Sequence, residues 1–233
     1  MTVPPLPGEV FLEAFASAPS RELVPGQVLI AAGAPASEVF NIVSGMLMMS
    51  RTGNDGRRQV LSFLFRDNFI GLTAADRYYF TVQAVTPAVV ACIPRADFQA
   101  RMRRVPEAEH AFLNMTFRVL EDLLDVIYSL GQRTALERLA VFLLFLRHAR
   151  RLAEGPADDA DPALNEVKLP MTREDIADFV GLQKETVSRS LGQLERRGLI
   201  RRLDNHHVRI LDLAQLRELA GVVDFASSYR LRG

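Results

Sequence analysis

The sequence has few of the residues that build covalent and metal-bound sites. Its 233 residues include one cysteine, Cys92, and no tryptophan. A single cysteine excludes a disulfide within the chain and any cluster held by cysteines alone. The histidines are His110, His148, His206 and His207, so the N-terminal part of the chain has none. An enzyme of the cupin type, which needs two or three histidines around a metal, is therefore disfavoured.

Long apolar runs and an excess of either charge are also missing. No run reaches the roughly 18 residues of a membrane-spanning helix, and residues 1–8 lack the features of a secretion signal. We expect a cytoplasmic protein without a membrane segment. Lys and Arg total 28, as do Asp and Glu, so the net charge is zero. This balance argues against a uniformly basic nucleic-acid binder but leaves room for a local basic patch.

From about residue 21 to residue 98 the chain has the pattern of short strands. Glycines separate apolar or β-branched runs, and the Gly-Asn and Asp-Gly pairs within 51–56 are typical of a hairpin turn. The predicted strands are 28–30, 39–43, 46–50, 59–65, 81–85 and 88–93. Many short strands at near-regular spacing indicate an antiparallel barrel or roll.

After Pro94 the apolar residues recur with a helical period. One long helix is predicted from Pro106 to about Leu130, and another over 134–152. The long helix carries a heptad seam of Phe112, Met115, Val119, Leu123, Val126 and Leu130, and beside it a stripe of Leu113, Phe117, Leu120, Leu124 and Ile127. Two apolar faces fit either a helix buried in one core or a helix that also packs on its copy in a second subunit. The helix alone does not decide between them.

The strongest functional pattern lies between Leu169 and Leu211. Thr172 is a good N-cap with Asp175 placed to complete a capping box, and Gly181 supplies a tight turn after this first helix. A second helix is predicted over 184–197, and a small hairpin follows. Helix, glycine turn, helix and hairpin is the order of a DNA-binding winged helix-turn-helix.

Charge in this segment also favours DNA. Residues 183–210 contain seven cations and three anions, a local excess of four positive charges. On the second helix, we predict that Glu185 accepts from a cytosine, Arg189 donates to a guanine and Ser188 meets a thymine edge. The residues predicted to contact the DNA backbone are Thr172, Arg173, Lys184 and Arg202.

These motifs resemble the Crp/Fnr superfamily of bacterial transcription regulators over nearly the whole chain. Segments 26–33, 39–45 and 55–59 resemble its cyclic-nucleotide-binding β-roll, and segments 169–177 and 185–189 resemble its DNA-binding domain.

The resemblance implies an α+β protein with three parts. These are an N-terminal antiparallel β-roll (1–105), a long dimerisation helix (106–131) and a C-terminal winged helix-turn-helix domain (132–233). It further implies a homodimer that joins through the heptad seam and binds double-stranded DNA with its recognition helices about one turn, roughly 34 Å, apart. RNA polymerase is an implied partner, through the hairpin at 51–58.

Departures from the family pattern concern the ligand of the roll. Members that bind cyclic AMP carry Gly-Glu late in the roll and Arg-Ser or Arg-Thr several residues later. Here the corresponding segments are Gly71-Leu72 and 78–82, with Arg77 displaced. A buried phosphate without its cation is costly, so the usual mode of cyclic AMP binding is not expected. Cys92 cannot hold the four-cysteine cluster of oxygen-sensing members.

We therefore expect no cofactor and no enzymatic activity. The Glu-x-x-Ser-Arg pattern at 185–189 resembles the FixK-like branch and implies a TTGA-type palindrome and a role in low-oxygen or nitrogen-oxide metabolism. The alternative that stays open is a regulator whose roll binds a small effector, such as a cyclic nucleotide or haem.

Overall fold

The computed structural model describes residues 13–154 and 161–221. The chain divides into two compact units, and the boundary falls between Leu120 and Glu121, inside the long helix. The expected domains 1–105, 106–131 and 132–233, in which the helix is a part of its own, stay a prediction. Residues 1–12, 155–160 and 222–233 of those domains lie outside the described residues.

The described residues of the first unit form eight strands in two sheets. They are β1 (Ser20–Leu23), β2 (Val28–Ile30), β3 (Glu38–Ser44), β4 (Leu47–Thr52), β5 (Arg58–Leu64), β6 (Phe69–Ile70), β7 (Thr81–Ala84) and β8 (Ala88–Pro94). The sheet orders are β1-β8-β3-β6 and β2-β7-β4-β5, with antiparallel pairing throughout. The predicted antiparallel roll is therefore confirmed. Sequence patterns did not single out β1 and β6, because β1 is mostly polar and β6 has two residues.

Alternation along the strands divides the core of this unit in two. Phe40 and Cys92 belong to the cluster between the sheets, whereas their chain neighbours Val39 and Ile93 belong to a second cluster. Successive side chains of a strand point to opposite faces, so β3 and β8 contribute to both clusters. The second cluster also contains Phe98, which lies on α1 (Arg95–Arg104).

The long helix, α2 (Pro106–Gln132), has 27 residues. It begins with Pro106, whose fixed φ suits the first position of a helix. In the first unit, Phe112 and Met115 pack against the second cluster, and the rings of Phe98 and Phe112 meet edge to face at 6.3 Å. No helix among the described residues is both long and apolar enough to cross a membrane.

The second unit is built around α3 (Ala135–Glu154), which buries Leu139, Leu143 and Leu146 as its spacing predicts. The elements that follow are β9 (Glu166–Lys168), α4 (Arg173–Val180), α5 (Lys184–Arg196), β10 (Ile200–Arg202), β11 (His207–Ile210) and α6 (Leu213–Ala220). The predicted hairpin is β10 and β11, and β9 adds a third antiparallel strand beside β11. The winged helix-turn-helix order is confirmed.

Gly45 and Gly33 allow a comparison of two glycine turns in the roll. Both have positive φ, +87° and +84°. A Cβ at Gly45 would lie 2.6 Å from the Cα of Ala88, whereas one at Gly33 would meet nothing within 4 Å.

We expect Gly45→Ala to lower the free energy of unfolding by roughly 2–5 kcal/mol, because strain and a backbone clash add together. Gly33→Ala should lower it by about 1–2 kcal/mol through strain alone. Urea denaturation of both variants measures the difference. Equal losses would show that Gly45 has no packing role.

Candidate nucleic-acid interface

The first helix of the motif, α4, starts with the predicted capping box. The Oγ1 atom of Thr172 accepts from the N–H of Asp175, and the Asp175 carboxylate accepts from the N–H of Thr172, both at 3.0 Å. The helix ends at Gly181, which is left-handed with φ +65° and whose N–H bonds to the carbonyl of Ala177. This turn directs the chain into α5.

The second helix, α5, has a buried edge and an exposed edge. Val187, Leu191 and Leu194 are at most 1% exposed. Glu185, Ser188 and Arg189 are exposed on the surface of α5. The structure therefore presents the three predicted base-reading side chains to solvent while the apolar side of the same helix is held in the core.

The polar side chains of α5 make only weak contacts with one another. The Ser188 hydroxyl donates to the carbonyl of Lys184 at 3.2 Å, and Nη2 of Arg189 donates to the Thr186 hydroxyl at 3.2 Å. No ion pair joins Glu185 to Arg189 in the described part of the chain. A bond to a neutral hydroxyl is weaker than one to a carboxylate, so the Arg189 guanidinium can exchange it for a base.

Of the four residues predicted to contact the DNA backbone, the two arginines, Arg202 and Arg173, bond to other elements of the protein. Nε of Arg202 donates to the Glu195 carboxylate at 2.7 Å, and the N–H of Arg202 donates to the same carboxylate at 2.9 Å. These bonds hold the pKa of Glu195 below its usual range. Nη2 of Arg173 donates to the carbonyl of Asn205 at 2.9 Å, and burial lowers the pKa of Arg173.

The other two predicted contacts differ from them and from each other. Lys184 is exposed at the first position of α5. Thr172 is exposed as well, but its hydroxyl serves the capping box. Lys184 is thus the freest of the four to meet a phosphate.

The loop between β10 and β11, the wing, is held by bonds that no sequence pattern predicted. Nδ1 of His207 lies 2.7 Å from the Asp204 carboxylate, which also accepts from the N–H of His206. The His206 N–H bond and the His207 contact lower the pKa of Asp204. The Asp-Asn-His-His run at 204–207 is the only local signal for these contacts, since an aspartate often bonds to the N–H two residues later.

The positive charges of the segment are only partly neutralised. Arg202 pairs with Glu195, and Arg209 pairs with Glu166. Five cations of segment 183–210 make no ion pair with any described residue: Lys184, Arg189, Arg196, Arg197 and Arg201. All of these are exposed, so the local positive charge faces solvent.

In the roll, the residues that stand where cyclic-AMP-binding members carry Gly-Glu and Arg-Ser or Arg-Thr contact the protein itself. Leu72 packs against the second cluster, and Nη1 of Arg77 donates to the carbonyl of Gly33 at 2.6 Å. Tyr78 is buried, which raises its pKa, and its hydroxyl donates to the carbonyl of Glu38. Leu72 offers no hydrogen bond to a ribose. In residues 13–154 and 161–221, no group of three or more His, Cys, Asp or Glu side chains is arranged to hold a metal ion.

The six residues of the predicted seam on α2 lie in different surroundings. Phe112 and Met115 pack inside their own unit. Val119 and Leu123 are 50% and 48% exposed, whereas Val126 and Leu130 are half-buried. The adjacent stripe is exposed along its whole length, with fractions of 48% at Leu113, 54% at Phe117, 53% at Leu120, 56% at Leu124 and 66% at Ile127.

Comparison with known families agrees with both halves of this description. Residues 20–105 match the cyclic nucleotide-binding domain family, and residues 137–219 match the Crp-like helix-turn-helix domain family. The first match covers the roll, and the second covers the interface on α4, α5 and the wing.

Two named relatives are similar to this chain over most of its length. The transcriptional activator protein FnrL of Cereibacter sphaeroides is 33% identical over 86% of this chain and 80% of its own length. The nitrogen fixation regulation protein FixK of Azorhizobium caulinodans is 35% identical over 84% of this chain and 82% of its own length. The structure of FixK2 from Bradyrhizobium japonicum has a TM-score of 0.76 at 26% identity, covering 87% of this chain and 96% of that one. The chain therefore belongs to the Crp/Fnr superfamily of DNA-binding transcription regulators, in its FixK-like branch.

Proposed function

We propose that a homodimer of this chain binds a palindrome with TTGA-type half-sites and regulates transcription from it. The observation that carries the proposal is the exposed surface of α5, where Glu185, Ser188 and Arg189 stand opposite a buried apolar edge. Arginine and a carboxylate reach guanine and cytosine edges in the major groove, and unpaired cations nearby neutralise phosphates.

The residues proposed to contact the DNA backbone differ in whether they already bond to the protein. Lys184 meets a phosphate directly, whereas Arg202 and Arg173 act first as braces of the wing, because each already donates to a protein oxygen. Phosphate contacts fix register without specifying sequence, so a braced wing still contributes to positioning. Thr172 approaches the DNA through the start of α4.

Dimerisation is supported by the exposed stripe of α2. Leu113, Phe117, Leu120, Leu124 and Ile127 recur at alternating intervals of four and three residues, the pattern of a coiled-coil seam. Exposed apolar stripes of this length are typical of protein interfaces. We therefore assign the dimer seam to this stripe, with Val119, Leu123, Val126 and Leu130 beside it, and assign Phe112 and Met115 to the roll's own packing.

The physiological setting follows from the relatives. FixK is named for regulation of nitrogen fixation, and FnrL is named a transcriptional activator. We propose an activator that acts in the cytoplasm on genes of low-oxygen or nitrogen-oxide metabolism. Its contact with RNA polymerase is the hairpin at 51–58, which is exposed over nearly its whole length.

The function is tested by selecting bound duplexes from a random DNA pool with the full chain. We expect enrichment of an inverted repeat of TTGA-type half-sites with centres about one turn, 10–10.5 base pairs, apart. Enrichment of a single unrepeated motif, or of none, would contradict the proposal.

Arg189→Ala should weaken binding to the preferred site by about 1–3 kcal/mol and remove the preference at one guanine, because the bidentate pair is lost. Titrations against a set of single-base variants measure both effects. Arg196→Ala is the matched control, an exposed arginine at the end of the same helix that should weaken all sequences alike. A uniform loss for Arg189→Ala would refute its assignment.

Leu120→Glu should shift the chain from dimer to monomer and weaken palindrome binding by about tenfold or more, since a buried carboxylate opposes association. Val119→Glu, one residue away on the adjacent stripe, should have the smaller effect. Sedimentation velocity and DNA titration distinguish them. If Val119→Glu dissociated the dimer and Leu120→Glu did not, the seam would be the heptad predicted from the sequence and the present assignment would be wrong.

A further inference from the structure

Arg138, on the first turn of α3, contacts two other helix ends of the second unit. Its Nη2 atom donates to the carbonyl of Leu130 at 2.6 Å, and its Nε atom donates to the carbonyl of Arg133 at 2.9 Å. Its Nη1 atom lies 3.2 Å from the carbonyl of Val180 and 3.3 Å from that of Gly181. One guanidinium therefore bonds to four backbone oxygens.

These oxygens belong to places where backbone acceptors lack helical partners. Leu130 is in the last turn of α2, and Arg133 follows that helix. Val180 ends α4, and Gly181 is its left-handed cap. The last carbonyls of a helix have no intrahelical donor and carry partial negative charge, so a cation there is stabilised. Arg138 joins the end of α2 to the turn of the helix-turn-helix.

Two neighbouring features hold this joint in one geometry. At the start of α3, the N–H of Thr134 donates to the Glu137 carboxylate at 2.8 Å, and the Thr134 hydroxyl accepts from the N–H of Glu137. This capping box fixes the turn that carries Arg138. Across the joint, a Cβ at Gly181 would lie 2.9 Å from Cδ2 of Leu130, so the turn and α2 are in close contact.

We propose that Arg138 is a positioning residue for DNA recognition, which locks the helix-turn-helix turn to the end of α2 and thereby sets the spacing of the two recognition helices. The inference rests on the proposed dimer, because α2 is the helix through which the two copies join. A stiff connection concentrates binding energy on one half-site spacing, whereas a loose connection accepts several spacings and gains less at each.

The test uses the full chain, a series of palindromes with spacers changed by one or two base pairs, and a duplex with a single half-site. Arg138→Met should reduce the advantage of the preferred spacer by about fivefold or more and leave single half-site binding within about twofold. Arg138→Lys should fall between, because an ammonium keeps the charge but cannot bridge four oxygens.

The matched control is Arg150→Met. Arg150 lies on the same helix and donates to the carbonyls of Ala163 at 2.8 Å and Glu166 at 2.6 Å, away from the joint. Its loss should lower the melting temperature without changing the spacer preference. This contrast separates a positioning role from general stabilisation of the second unit.

A spacer preference unchanged in both Arg138 variants, or one altered equally by Arg150→Met, overturns the inference. If Arg138→Met does not fold, Arg138→Lys carries the same comparison. If the unaltered chain is monomeric or shows no palindrome preference, the dimer proposal fails instead.

Discussion

The DNA recognition that we propose for this protein depends on a helix, α5, that is buried on one side and exposed on the other. Val187, Leu191 and Leu194 hold α5 in the core of the second unit, and the Gly181 turn sets the direction in which the helix leaves α4. Hydrogen bonds to base edges tolerate little displacement, so the packing of the buried edge determines what the exposed edge can distinguish. Specificity is in this sense a consequence of apolar burial.

Charge in the second unit is distributed between structure and recognition. Glu195 forms an ion pair with Arg202, and Glu166 forms one with Arg209. Part of the basic segment therefore stabilises the wing and its sheet. The cations without an ion pair therefore form a local positive surface on a protein whose net charge is zero. A local field of this kind attracts phosphate at close range without a general attraction of the whole surface to nucleic acid.

Local chemistry accounts for what could be predicted from the sequence. The capping box of Thr172 and Asp175 and the turn at Gly181 depend on neighbouring residues, so pattern and structure agree. Strand β9 could not be read locally, because its three residues pair with a strand about forty positions away. The bond from Arg138 to Val180 likewise spans 42 residues.

The two apolar stripes of α2 show why periodicity alone could not decide which of them forms the proposed dimer seam. Phe112 and Met115 fit the heptad, yet they pack on the second cluster of the roll, while the neighbouring stripe stays exposed. A heptad pattern predicts that one face of a helix is apolar, but it does not identify the surface that packs against that face. The capping box of Thr134 and Glu137 was visible as a Thr-x-x-Glu pattern and could have directed attention to Arg138 beside it.

The loop between β6 and β7, residues 71–80, contains the positions at which members that bind cyclic AMP carry their ligand-binding residues, and here it bonds to the protein's own cations. Nη2 of Arg95 donates to the carbonyl of Thr73 at 2.8 Å, and its Nη1 donates to that of Ala75 at 3.1 Å. Arg77 holds the facing carbonyl of Gly33. Because these carbonyls already have charged donors, the loop can be ordered without a phosphate to organise it.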